Sequence, residues 1–138
     1  MKAKHPIENY EKLKSIICKV LNITYNDAFN STSRRRKNVE ARQIFCSVVK
    51  NNSKLSFTEI GEKVYKSNKF SYDHATVMYG ATTVNNLCST DIEFNEKYKK
   101  ILKDFYRYQN YQYKSMVSHY QTMNDKLNSR IKSRQLIY

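Results

Sequence analysis

Glycine and proline are almost missing: 2 Gly and 1 Pro in 138 residues. Those two residues punctuate turns, so a turn-rich β-architecture is excluded and an all-α chain is favoured. Cysteine is sparse and odd in number. Cys18, Cys46 and Cys88 form no CxxC pair, and His5, His74 and His119 do not cluster with them. A zinc site and a disulfide framework are thereby excluded, leaving reduced thiols that pack as small hydrophobes. No apolar run approaches the roughly 18 residues of a membrane span. The basic N-terminus, Met1 to Pro6, is followed by no apolar signal core, so the expected location is cytoplasmic, without a membrane partner. With Gly61 and Gly80 the sole glycines, no phosphate-cradling G-x-x-x-x-G-K-[ST] loop exists. No Ser/His/Asp, Cys/His or paired-carboxylate arrangement stands out, so no catalytic residue, metal or cofactor is expected, and the chain reads as a non-enzyme.

Acidic residues are scarce as well. Against 25 Lys and Arg stand 12 Asp and Glu, a net charge of +13. Such a field attracts polyanions at long range, and nucleic acid and anionic membrane are the two usual partners. Hydrophobic residues make up 40%, enough for a modest core rather than a disordered chain.

Helical periodicity organises that core. Tyr10, Leu13, Ile17, Val20 and Leu21 recur at three- and four-residue spacing, predicting an amphipathic helix over residues 7–21 with Pro6 near its start. Thr24 to Phe29 suits a short second helix. Asn30 to Ser33 and the four cations Arg34, Arg35, Arg36 and Lys37 cannot pack inside and form an exposed basic segment. A helix from Val39 to Val49 offers Val39, Ile44, Phe45, Val48 and Val49 to the core. Ser56 and Glu59 have the spacing of a capping box for a helix carrying Phe57, Ile60, Val64 and Tyr65 inward. Polar residues Lys66 to Tyr72 interrupt the pattern. Asp73 or Ser71 caps the next helix, to about Leu87, with Val77, Met78, Ala81, Val84 and Leu87 along its apolar side.

Two helices around a polar turn have the layout of a helix-turn-helix, whose second helix reads base edges with its N-terminal residues. Asp73, His74, Ala75 and Thr76 occupy that end. Imidazole and hydroxyl groups hydrogen-bond bases, and the Ala75 and Thr76 methyls suit thymine methyls. An ordinary capped helix with a surface histidine would show the same residues, so the helix pair alone does not decide the matter.

Further residues extend the pattern. Arg34-Arg35-Arg36-Lys37, Val39-x-Ala41-Arg42-Gln43-Ile44, Glu59-Ile60-Gly61 and Asp73-His74-x-Thr76-Val77 occur in this order. Together they resemble the C-terminal DNA-binding domain of the bacterial replication initiator DnaA, over about residues 7–103. The resemblance implies a recognition helix in the major groove of a short A·T-containing duplex and a basic loop in the adjacent minor groove. It makes Arg34 the minor-groove arginine, Arg42 and Gln43 DNA-contacting groups, Lys50 a phosphate ligand, and Asp73, His74 and Thr76 the reading residues. A narrow A·T minor groove does favour an inserted arginine. Plain phosphate contact by Arg34 to Lys37 is the alternative. Ala75 stands in place of a usual threonine, Tyr72 in place of a common arginine, and Tyr79 where histidine is frequent. The turn before Asp73 is also longer than the family's.

The final third lacks glycine and proline. Tyr98, Ile101, Leu102, Phe105 and Tyr108 repeat at helical spacing, as do Met116, Tyr120, Met123, Leu127 and Ile131, predicting one or two helices. Three roles stay open for residues 104–138: extending the DNA footprint through residues such as Arg107 and Lys114, forming a homodimer or docking a protein partner, or packing back on the domain. The expected architecture is all-α: a helix-turn-helix domain over 1–103 and a basic, Tyr-rich helical extension over 104–138. The expected function is sequence-specific binding of double-stranded DNA in replication or transcription control, in a bacterial nucleoid or a phage-infected host cytoplasm, by a stand-alone module without an ATPase domain. The alternatives are a structural or interaction protein assembling through its C-terminal helix with only non-specific nucleic-acid binding, and an RNA or single-strand binder stacking bases on tyrosines.

Overall fold

Asn9 starts the first helix by accepting a hydrogen bond from the Lys12 N–H at 2.9 Å. The helix, α1 (Tyr10–Leu21), ends where Asn22 takes up the left-handed conformation at φ 58°, which asparagine tolerates better than most residues. The computed structural model describes residues 9–67 and 69–136, and beyond Tyr111 it describes side chains only at Ser118, Thr122 and Asp125. Residues 7 and 8 of the predicted first helix, and Pro6, lie outside that range. Among the described residues every regular element is helical: α1, α2 (Tyr25–Phe29), α3 (Arg36–Asn52), α4 (Phe57–Val64), α5 (His74–Thr90) and α6 (Ile92–Leu136).

The chain divides into two compact units, residues 1–105 and 106–138. In the first, α3 is the central element and contacts α1, α2, α4 and α5. Its Ala41, Ile44, Phe45, Cys46, Val48 and Val49 are fully enclosed. Phe45 meets Phe29 edge-on at 5.9 Å and Tyr10 at 6.2 Å. Burying a side chain of this size stabilises by about 1.5–3 kcal/mol. Leu13, Ile16, Ile17 and Leu21 from α1, Ile60 and Val64 from α4, and Val77 and Val84 from α5 pack into the same core.

Lys14 was not foreseen in that interior. It is 1% exposed, with its ammonium 5.4 Å above the Phe29 ring centroid, 5.1 Å above that of Phe45, and 3.6 Å from the Glu11 carboxylate. Burial lowers its pKa, and Glu11 opposes the shift. Two aromatic faces and one carboxylate offset the loss of water around the charge. Burial also pushes the Cys46 thiol up to about 12 and the Cys18 thiol to about 11, which leaves both protonated and inert at neutral pH.

Helix α3 begins at Arg36, three residues before the predicted start, so Arg36 and Lys37 form its first turn. Of the one or two helices expected in the last third, the structure has one. Asp91 accepts a hydrogen bond from the Phe94 N–H at 3.1 Å, and α6 then runs for 45 residues. Within the first unit, Phe94, Ile101 and Phe105 are buried, and the Tyr98 hydroxyl lies 3.1 Å from that of Ser47. Side chains of Met116, Tyr120, Met123, Leu127 and Ile131 lie outside the described residues, and so does their expected stripe.

Candidate nucleic-acid interface

Four cations in a row meet the N-terminus of α3, which carries the positive end of the helix dipole. Its first turn contains no acidic residue. Each cation there is disfavoured by about 0.3–1 kcal/mol where it is exposed. Only the Arg36 Nε, 3.0 Å from Glu40 one turn on, makes an ion pair among the described residues of this run. Arg34, Arg35 and Lys37 are exposed. A stretch that sets like charge against a like dipole costs stability, and functional surfaces are where such local conflicts persist.

The backbone that carries these cations is tightly organised. The Ser31 hydroxyl donates to the Asp27 carbonyl at 2.9 Å and accepts from the Ser33 N–H. The Ser33 hydroxyl accepts from the Arg35 N–H at 3.3 Å and from the Asn38 amide at 2.9 Å. Asn38 is itself buried at 4% exposure. These local turns fix the Ser31–Arg35 loop while its charged side chains stay in solvent.

Arg42 requires a correction. Expected among the DNA-contacting groups, it is only 2% exposed. Its Nε donates to the Ala28 carbonyl at 2.7 Å, and its Nη2 donates to the carbonyls of Ser33 at 2.5 Å and Ser31 at 3.3 Å. The Nη1 reaches the Tyr72 hydroxyl at 3.4 Å, and the Tyr65 ring lies 5.4 Å away. With its donors engaged inside the protein, the guanidinium is not presented to a phosphate.

The helix-turn-helix is built from α4 and α5. Ser56 and Glu59 form the capping box reciprocally, at 3.1 Å in each direction. The turn that follows is braced on three sides. Tyr65 meets Phe70 at 5.6 Å and Tyr72 at 5.5 Å, both edge-on. The Lys66 N–H donates to the Phe29 carbonyl at 2.8 Å, and the Tyr72 N–H donates to the Gly61 carbonyl at 3.2 Å. Gly61 has no alternative here: a Cβ would lie 1.9 Å from the Tyr72 carbonyl oxygen. Burial raises the Tyr72 phenol to about 12, so it stays a neutral partner for Arg42.

Asp73 caps α5, its carboxylate accepting from the Thr76 N–H at 2.7 Å. Hydrogen bonds from Thr76, side chain and backbone, hold its carboxyl below the ordinary carboxylate value. His74, Ala75 and Thr76 then stand exposed on the first turn, while Val77, Gly80 and Val84 face the core. Met78, expected on the apolar side, points out at 47% exposure, and Tyr79 beside it is 69% exposed. The signal was present: Val77, Gly80 and Val84 define a three-to-four spacing that Met78 does not join.

Two predicted residues are placed apart from this cluster. Gln43 is half-buried where α3 meets α5. A Cβ on Gly80 would come within 3.2 Å of its Cγ. Lys50 is exposed in the last turn of α3, its ammonium 4.5 Å from the Phe57 ring centroid. At 1.5 Å per residue it lies about 20 Å along the helix from Lys37. No group of three or more His, Cys, Asp or Glu suited to a metal occurs among the described residues, and no described helix is long and apolar enough to cross a membrane.

Comparison with known proteins places this geometry. The chromosomal replication initiator protein DnaA of Bacteroides fragilis is 31% identical over 87 residues, covering 63% of this chain and 17% of the relative. That of Flavobacterium psychrophilum is 34% identical over 70 residues, covering 51% of this chain and 14% of the relative. The Bacteroides thetaiotaomicron protein is 31% identical over 91 residues. The chain thus spans less than a fifth of the length of these relatives. The bacterial dnaA protein helix-turn-helix pattern matches residues 10–84, which contain the basic loop, α4, the turn and α5 as far as Val84, so the chain belongs to that family.

Proposed function

We propose that this chain binds double-stranded DNA sequence-specifically, with α5 in the major groove and the Ser31–Arg35 loop at the neighbouring minor groove. The observation that carries the reading is the exposed first turn of α5, His74, Ala75 and Thr76, held by a braced turn and a capping aspartate. Reading residues at a helix N-terminus are the hallmark of helix-turn-helix recognition. His74 and Thr76 supply hydrogen bonds to base edges, and Ala75 supplies a methyl contact. Arg34 enters the minor groove, while Arg35, Arg36, Lys37 and Lys50 neutralise phosphates and orient the protein. Gln43, at the α3–α5 contact, lies beside the reading helix.

The role is control of replication or transcription by occupying a site or recruiting a partner, without chemical turnover. The names of the relatives favour replication. Ala75 in place of a hydroxyl-bearing residue favours a target different from the family's usual one, since a lost donor alters base preference.

Selection from a random duplex library at near-physiological salt, with sequencing of the bound pool, tests the reading. An enriched motif is expected. Retained binding without enrichment would show that the basic surface holds DNA without reading it.

A further inference from the structure

We infer that Arg42 is a positioning residue that locks the basic loop to the start of α5, so that the two reading elements meet DNA as one preorganised surface. The inference rests on the function proposed above and assigns a device inside it.

A buried guanidinium costs stability unless its charge and donors are matched. Arg42 forms no ion pair with a carboxylate among the described residues. Its charge is met instead by converging backbone carbonyls, from Ala28 in α2 and from Ser31 and Ser33 in the loop. Its remaining contacts are the Tyr72 hydroxyl and the Tyr65 ring, both in the turn before α5. One planar fork therefore ties the neighbouring end of α2 and basic loop to a turn more than 30 residues further along the chain. Arginine suits this position because its five N–H groups are fixed in one plane and its charge is permanent. A lysine keeps the charge but presents its donors from a single atom.

Tyr72 immediately precedes the Asp73 cap, so the loop and the approach to α5 are held by two nitrogens of one guanidinium. Without the clamp, the carbonyls of Ser31 and Ser33 lose their partner and the loop must be ordered when DNA binds, which lowers affinity for the correct site. Phosphate attraction is a long-range property of the charge and survives. The signature of positioning is therefore lost discrimination with retained non-specific binding.

The test uses the full chain with Arg42→Lys. Amide hydrogen exchange at Ser33 and Arg35 is followed in the DNA-free protein, with the α3 core amides as internal reference. Exchange at the loop should accelerate while the core stays protected. The ratio of affinities for a library-selected duplex and a scrambled one should fall about tenfold, the equivalent of one lost ordered contact. In that background Arg34→Ala should have little further effect on the ratio, because an unlocked arginine no longer reads the groove. Unchanged loop exchange overturns the inference, and so does a loosened loop with the ratio and the Arg34→Ala effect intact. The outcome expected of a direct phosphate ligand, unchanged exchange with only a weakened affinity for every duplex, overturns it too. Should Arg42→Lys fail to fold, Tyr72→Phe decides: it deletes the Nη1 bond that joins the loop to the turn before α5, so the ratio of affinities should fall, and an unaltered ratio rejects the clamp. A wild-type protein that does not discriminate sinks the proposed function instead, and the exchange measurement still decides whether Arg42 holds the loop.

Discussion

The basic loop and the turn before α5 both carry exposed residues, yet different forces hold them. The loop is pinned by polar bonds: two serine hydroxyls, the Asn38 amide and the Arg42 guanidinium. The turn is pinned by aromatic packing of Tyr65, Phe70 and Tyr72 and by the close approach of Gly61 to the Tyr72 carbonyl. Polar bonds exchange with water and contribute modestly net, whereas packed rings and a backbone contact tolerate little change in volume. The loop should therefore loosen by degrees, and the turn should fail abruptly.

Gly61→Ala is the strongest challenge to that contrast. The new methyl would strike backbone rather than a flexible side chain, and a loss of about 3 kcal/mol in chemical denaturation is expected. A loss under 1 kcal/mol would show that the turn is as yielding as the loop. Next come His74→Ala and Thr76→Ala, each expected to cost about 1–3 kcal/mol in binding a selected duplex. Thermal melting should show that the His74 change leaves stability alone. Ser33→Ala removes the acceptor shared by Arg35 and Asn38, and should lower stability by about 1 kcal/mol. A cost equal to that of Gly61→Ala would erase the distinction. Lys50→Ala, remote from both regions, should weaken all duplexes alike and reduce the salt slope by about one.

Acid provides the smallest effect. The Asp73 carboxyl is depressed in the folded chain by the Thr76 hydrogen bonds. Its contribution is therefore complete above the ordinary carboxylate value of 3.8 and is lost as pH falls through the lower folded value. Asp73→Asn should flatten that part of the acid unfolding curve. An unchanged curve would mean that the cap does not couple to folding.

Much of the helical framework was legible in the sequence. The Ser56–Glu59 capping box and the Asp73 cap appear as short-range pairs, because capping is a local bond between residues three apart. The family resemblance likewise marked the segments that form the exposed basic loop and the second helix of the motif. Arg42 and Lys14 were illegible for a common reason. Their burial depends on partners that no side-chain pattern specifies: backbone carbonyls in one case and the faces of two distant phenylalanines in the other. The family resemblance marked Arg42 as a DNA-contacting group, and the helical spacing of α1 gave Lys14 no inward place. The periodicity of the last third left one helix or two open, because spacing alone does not show whether neighbouring apolar runs belong to one helix, and the backbone forms a single helix there.

On the function proposed above, helix α5 separates anchoring from reading by face. Val77, Gly80 and Val84 anchor it, while His74, Ala75, Tyr79 and Thr82 project away. Exposed substitutions of this kind usually alter stability by no more than about 0.5 kcal/mol. Mutation can therefore explore new outward residues on an unchanged anchor, and a descendant lineage could drift to a different target by single steps without ever passing through a chain that fails to fold.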